Sequence, residues 1–373
     1  MLMERYSKVI RVTEQFLQDL WAGVYDPAKP LPPEETLAAR YGITRISFRR
    51  VVANLENIRV LKRIPNKHTI ILPDLLLPGS KINSDKTPVA VVFDCSPDSG
   101  SMELAKGIRE KAAQCNAETV LFQDMNDGMN ALAALEKYGI DKFSGVILLP
   151  THNAFVDKLC SFLPSAMPQV ALTIRPPQLD IPCVYTDDFD IQHQLVLTLI
   201  KRYRRPVYFV TETRAWYPPR GNFGGYCCAM CEAGFGMDIS THTLRIDWPE
   251  QTTYSRNEDL EKMLSPLLHK LFKEHPEPLT ITAENDYLGR EIIDVARQYK
   301  RKIGEDLILC GGANLPFSSD KAYSFSSIEQ PQKEMGAAAL ELLLRRIKDP
   351  EAAVFDVVFR SRIIERHSTN SEI

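Results

Sequence analysis

The chain has 373 residues, 44% hydrophobic and 25% charged, with a formal net charge of −3. That length predicts two or three compact units rather than one core. No run approaches the ~18 apolar residues of a membrane span, and the charged opening Met1-Leu-Met-Glu-Arg-Tyr-Ser-Lys8 lacks the apolar stretch of a signal peptide, which predicts a cytoplasmic protein. The charge is uneven: residues 1–75 hold 12 Lys+Arg against 8 Asp+Glu, which is +4, and the remainder carries −7. A basic head on an acidic body suits contact of one end with nucleic acid.

Val9, Val12, Phe16 and Leu20 recur at helical spacing and predict a first helix to about Ala22. Gly23 and Asp26-Pro-Ala-Lys-Pro30 end it. A short helix over Glu34–Tyr41 would bury Leu37 and Ala38, Gly42 supplies a tight turn, and Thr44 is suited to N-cap the next helix. That helix, Arg45–Asn57, has two faces. Phe48, Val51, Val52 and Leu55 follow i, i+3, i+4, i+7 spacing and form a core stripe; Arg45 and Arg49 lie one turn apart elsewhere, with Ser47 and Arg50 nearby. Arginine grips phosphates or binds a guanine edge with two hydrogen bonds, so such a helix fits the major groove. Val60–Ile64 and Thr69–Leu72 read as two strands, and Pro65-Asn-Lys-His68 between them makes a basic hairpin tip.

These residues carry a resemblance. Leu31-Pro-Pro-Glu-Glu-Thr-Leu-Ala38, Tyr41-Gly-Ile-Thr-Arg-Ile-Ser-Phe-Arg-Arg50, Leu55-Glu56 and Lys62-Arg63 resemble the winged helix-turn-helix of the gluconate-repressor (GntR) family, over about residues 5–72. By position the resemblance implies DNA contact by Arg45, Ser47 and Arg49; Thr44 and Arg50 beside them and Lys67 and His68 of the basic wing are expected to join the interface. The chain departs from the pattern at Pro33, where the family has Ser, and at Glu35, where it has an Arg that helps bind DNA; a carboxylate there repels phosphate. The wing tip Asn66-Lys67-His68 replaces a Gly-rich one, with residues that tolerate left-handed backbone.

Residues 75–87 shift to Leu, Pro, Gly, Ser and Lys and read as an exposed linker between a DNA-binding domain at 1–74 and a larger domain at 88–373. In the latter, Val89–Phe93, Val146–Leu149, Val170–Ile174, Val207–Val210, Leu279–Thr282 and Leu307–Cys310 read as buried strands, and helical patterns such as Leu104–Ala113 and Asn285–Arg297 fall between them. The alternation predicts α/β architecture with parallel sheets flanked by helices, in which ligands bind beyond the carboxyl ends of the strands. Asp98, Ser99, Ser101, Thr151, His152, Arg175, Asn285, Asp286 and Asn314 follow strand ends as hydrogen-bonding side chains.

This domain resembles the effector domain of the lactose/galactose-repressor (LacI/GalR) family, a relative of periplasmic sugar-binding proteins. The strongest stretches are Ile281-Thr-Ala-Glu-Asn-Asp286, Cys310-Gly-Gly-Ala-Asn314, Ser326-Ser-Ile-Glu-Gln-Pro331, Met335–Leu344 and the ending Ile363–Thr369. The resemblance implies two similar lobes joined by crossings near 175–181, 312–314 and 326–330, with effector between them. By position Asp286 matches a residue that binds effector hydroxyls, and a carboxylate accepts two such bonds. Trp248 stands where the family stacks an aromatic on the ligand, core packing being the alternative. The family's Arg before its Gly-aromatic pair falls here at Asn222, with Arg220 two residues earlier.

The fusion is similar to arabinose-type repressors. It implies a homodimer that sets two recognition helices in successive major grooves of double-stranded operator DNA, and a small sugar-like effector that releases it. The alternatives are a nucleoside or other polar metabolite as effector, and a ligand-binding protein with a degenerate DNA head. No Ser-His-Asp order, phosphate-cradling Gly loop or metal cluster stands out, so neither catalysis, cofactor nor metal is expected. Cys228-Ala-Met-Cys231 has the spacing of a metal or redox pair, but no second pair follows. The eight cysteines are expected as reduced thiols, small and buried, with Gly225–Ala233 opening a helix.

Overall fold

The computed structural model describes residues 8–9, 11–13, 15–16, 19–20, 24–26, 29–57, 60–64, 68–71, 85–94, 100–124, 129–150, 153–176, 178–213, 221–247 and 257–369. Val9, Val12, Phe16 and Leu20 sit at helical positions and are all buried. Helix α1 (Glu34–Arg40) carries Glu34 and Glu35 in its first turn, where carboxylates complement the helix dipole. Gly42, at φ +63, turns the chain into α2 (Arg45–Asn57). Thr44 caps α2 as expected: its Oγ1 accepts the Ser47 N–H at 3.2 Å. Phe48, Val51, Val52 and Leu55 are buried together with the first helical residues, Leu37 and Ala38.

Aromatic packing holds this core. The ring of Phe16 lies 5.3–5.4 Å from those of Tyr25, Tyr41 and Phe48. Tyr41 donates to Asp19 at 2.6 Å, and burial with that hydrogen bond raises its phenol well above the usual range. Strands β1 (Leu61–Arg63) and β2 (Thr69–Ile71) pair antiparallel, Leu61 opposite Ile71, and the Ile64 N–H donates to the His68 carbonyl at 2.8 Å. Strand β1 is two residues shorter than expected, and Leu72, the last residue expected in β2, lies outside the described residues. The wing tip at 65–67 and the linker at 75–84 lie outside the described residues.

The chain divides into two compact units: residues 1–151, 155–172 and 336–354 form one, and 152–154, 173–335 and 355–373 the other. In the first, β3 (Thr87–Asp94), α3 (Ser101–Gln114), β4 (Ala117–Asp124), α4 (Met129–Tyr138), β5 (Gly145–Leu148), α5 (Asn153–Phe162) and β6 (Gln169–Leu172) alternate. Their strands pair in parallel in the order β6-β5-β3-β4. Every residue of β5 and β6 is buried, and all but Gln169 are apolar, as in a strand covered on both faces.

The second unit contains β7 (Cys183–Thr186), α6 (Asp188–Tyr203), β8 (Tyr208–Thr213), α7 (Asn222–Glu232), β9 (Thr243–Asp247), α8 (Asn257–Glu274), β10 (Leu279–Ala283), α9 (Asp286–Gln298), β11 (Leu307–Gly312) and β12 (Ser326–Glu329). Helix α10 (Gln332–Lys348) then returns to the first unit, where Lys111 of α3 pairs with Glu341 at 2.7 Å. Strand β13 (Val357–Phe359) pairs in parallel with β7, and β14 (Arg362–Ile364) antiparallel with β12. The second sheet runs β14-β12-β11-β10-β8-β9, parallel apart from β14. Helix α7 lies tight on α6 because residue 225 is glycine: a Cβ there would fall 2.2 Å from the Phe189 carbonyl oxygen.

Several sequence expectations need correction. Strand β6 stops at Leu172 rather than Ile174, because Thr173 takes the left-handed φ of +63. Helix α7 starts at Asn222, three residues before Gly225. Cys228 and Cys231 are exposed on it, as are Cys115 and Cys160, whereas Cys183 and Cys310 are buried; all are free thiols. The segments 312–314 and 326–330, expected to cross between lobes, lie within the second unit; apart from the short excursion at 152–154, the chain passes between units at 172–173, 335–336 and 354–355. Strands β4, β7, β9, β12, β13 and β14 had no counterpart in the expected set.

Candidate DNA interface and effector site

The start of α2 gathers the residues expected at DNA. Thr44, Arg45, Arg49 and Arg50 are exposed and Ser47 is half-buried, its hydroxyl 2.9 Å from that of Thr44. The core stripe of Phe48, Val51, Val52 and Leu55 fixes the helix from behind, so the arginines face outward. His68 is exposed at the base of the wing; Lys67 lies outside the described residues.

Two residues of this face escaped the sequence reading. Glu34 of α1 receives Arg49 Nε at 2.9 Å and stands 3.8 Å from Arg45 Nε. The sequence drew attention to its neighbour Glu35, which points to solvent. The Glu34 pairs are partly exposed and of the class worth about 0–1 kcal/mol, so phosphate can displace the carboxylate. The second is Ile46, 72% exposed between Arg45 and Ser47. A helical wheel would have found it, because it points away from the core stripe. At the wing base, Arg63 pairs with Glu56, whose Oε1 also accepts the Arg63 N–H at 2.6 Å.

In the second unit, Asp286 and Asn314 come together. Asp286, the first residue of α9, is wholly buried. Its Oδ1 accepts from Ser327 Oγ and its Oδ2 from the Leu315 N–H, both at 2.6 Å. Burial raises its carboxyl to about 7, against the opposing pull of those hydrogen bonds. Gly311 makes the room: a Cβ at that position would sit 2.2 Å from Asp286 Oδ1. Asn314, at φ +45, donates its N–H to Ser327 Oγ at 2.9 Å and its side-chain amide to Glu329 at 2.9 Å, and accepts from Arg366 at 2.6 Å. Glu329 also pairs with Arg362. One network therefore ties the start of α9 to the ends of β11 and β12 and to the C-terminal segment.

Other expected effector residues are more dispersed. Arg175 pairs with Asp356, which also accepts the Cys183 N–H at 3.0 Å. Asn222 opens α7 and is half-buried; Ser101 opens α3 and is buried. Asp98, Ser99, Thr151, His152, Arg220 and Trp248 lie outside the described residues. The sequence reading missed Gln330, which donates to Thr186 at 3.0 Å and lies 3.4 Å from Asp188. Just past the carboxyl end of β10, Glu284 accepts from Thr211 Oγ1 at 2.5 Å and from the Glu212 N–H at 3.1 Å, both in the last residues of β8. Among the described residues no group of three or more His, Cys, Asp or Glu is placed to hold a metal ion. No helix among them is long and apolar enough to cross a membrane.

Residues 9–71 match the model of bacterial regulatory proteins of the gntR family, and residues 203–369 match the periplasmic binding protein-like domain. The arabinose metabolism transcriptional repressor of Geobacillus stearothermophilus is 22% identical over 370 residues, 97% of each chain. The HTH-type transcriptional regulator KdgR of Bacillus subtilis is 22% identical over 298 residues, 79% of this chain and 84% of its own. Among solved structures, the transcriptional regulator CelR in complex with cellobiose superposes with a TM-score of 0.62 at 18% identity, covering 91% of this chain and 100% of its own. A LacI family regulator from Enterococcus faecium with bound ribose gives 0.60 at 20% identity, covering 76% and 98%. At such identities the structural likeness shows the fold alone. The two matched domains, and relatives that align end to end, agree with the helical head and the α/β units described above: the chain is a DNA-binding transcription regulator that joins a gntR-family helix-turn-helix domain to a periplasmic-binding-protein-like domain.

Proposed function

We propose that the chain is a cytoplasmic, homodimeric repressor of carbohydrate-metabolism genes that leaves its operator when a small sugar-like effector binds. The observation that carries the DNA half is the exposed row of Arg45, Arg49 and Arg50 on a helix whose opposite side is locked into the core. Two such helices in a dimer reach half-sites about one helical turn apart. Lys67 and His68 of the wing would add contacts to the DNA backbone.

The effector half rests on a binding-protein-like domain and on relatives named for arabinose metabolism. Arabinose is therefore the first compound to test. With Asp286 buried and both its oxygens engaged, its role in effector recognition would run through the placement of Asn314 and the β11–β12 ends. Arg175, Asn222, Arg220, Trp248 and the polar loop residues Asp98, Ser99, Ser101, Thr151 and His152 complete the proposed effector-binding set. Catalysis has no place in this reading.

The test begins with selection of duplexes from a random library by the full chain. Arg49→Ala should weaken binding to an enriched duplex tenfold or more, about the 1–3 kcal/mol carried by a bidentate arginine. Equal affinity of variant and parent would remove α2 from the interface.

A further inference from the structure

We infer that Ile46 is a base-reading residue, whose side chain packs on the 5-methyl group of a thymine in each operator half-site. The inference deepens the DNA-binding reading above and rests on it. Ile46 is the second residue of α2 and 72% exposed; among the exposed large apolar side chains of the described residues only Met237 is more so. A single exposed apolar residue is ordinary on a protein surface, so its position decides. At about 100° per residue, Ile46 points almost opposite the buried stripe of Phe48, Val51, Val52 and Leu55. Arg49 and Arg50 follow it one turn later on the same outward side, and Arg45 precedes it; all three are exposed.

Helices that read the major groove contact base edges with residues of their N-terminal part. On the floor of that groove the thymine methyl is the apolar feature, and an aliphatic side chain contacts it without leaving a polar group unpaired. The arginines on either side offer forks for guanine edges or phosphates, which leaves Ile46 to discriminate an A·T pair among them. Its β-branched side chain has few χ1 rotamers to lose on contact. The Thr44–Ser47 capping pair, with the Ser47 N–H held at 3.2 Å, fixes the first turn that presents it.

The test replaces each thymine of an enriched duplex, one symmetric pair at a time, with uracil, which lacks only the methyl. The full chain and its Ile46→Ala variant are titrated against each duplex. Burial of one methyl-sized group is worth about a fourfold affinity change. One uracil position should weaken the parent about fourfold per half-site and leave Ile46→Ala indifferent between thymine and uracil there. Ile46→Val, which keeps a branched aliphatic tip, should retain most of the preference. Uracil effects that are absent, or equal in parent and Ile46→Ala at every position, would overturn the assignment while DNA binding itself stands. Failure to enrich any duplex would overturn the DNA-binding reading, and this assignment with it.

Discussion

Glu34 sets the electrostatics of α2, the proposed recognition helix. It holds Arg49 at 2.9 Å and stands 3.8 Å from Arg45, so in the free protein both guanidinium groups are partly neutralised and pre-positioned. Glu34→Gln should tighten binding to non-specific duplex a few-fold and steepen its salt dependence, because more arginine charge is then available to phosphate. Titrations at several salt concentrations read both; an unchanged slope would mean the arginines are already free. Asp286 governs a different property. Its carboxyl rises from the ordinary 3.8 to about 7 in the folded state through burial. Between those values the folded chain keeps a proton that the unfolded chain has lost, so this group makes stability fall as pH rises through the window and level off above it. Asp286→Asn removes that slope, and its melting point relative to the parent should climb from pH 4 to pH 7. Parallel pH profiles would contradict the raised value. The sequence indicated Asp286 and Asn314 as polar residues after strands. It gave no sign that they share a network through Ser327 and Leu315, because Leu315 and Ser327 lie 29 and 41 residues from Asp286, and Ser327 lies 13 from Asn314.

At the level of elements, what the sequence revealed follows from how each element is buried. Helix α2 matched its expected bounds because a core stripe, an N-capping Thr44 and an outward basic face all agree on them. The central strands β5, β10 and β11 are buried throughout and stand out as apolar runs. Strand β12 stayed hidden because two of its three buried residues, Ser326 and Ser327, are polar. They are satisfied by Ser368, Thr369 and Asp286 rather than by apolar packing. Strands β9, β13 and β14 lie at or near sheet edges and bury little, so no periodicity marks them. Helix α7 was expected to begin at Gly225, whose actual role is to let α6 approach. Gly225→Ala would push a methyl to 2.2 Å from the Phe189 carbonyl oxygen and 3.0 Å from the His193 nitrogen. Urea unfolding should show a loss on the order of 1–3 kcal/mol, the usual cost of overpacking. Full parental stability would mean the two helices separate freely.

For the whole molecule, the two-part plan was readable because each part has its own period: helical stripes with a basic face in the first seventy residues, alternating strands and helices afterwards. The division into units was less readable, since α10 returns the chain to the first unit after β12 and no composition change marks that return. Coupling between the parts is the central claim. If effector and operator favour different states of the proposed dimer, each must weaken the other by the same factor. The measurement that tests this most directly is the affinity of the intact protein for an enriched duplex, by fluorescence anisotropy at fixed salt, with and without saturating arabinose and then a panel of other sugars, sugar acids and nucleosides. The account predicts specific binding that at least one carbohydrate weakens fivefold or more, within the usual range of allosteric coupling. Operator affinity that is indifferent to every carbohydrate tested, or that responds to nucleosides alone, would contradict it.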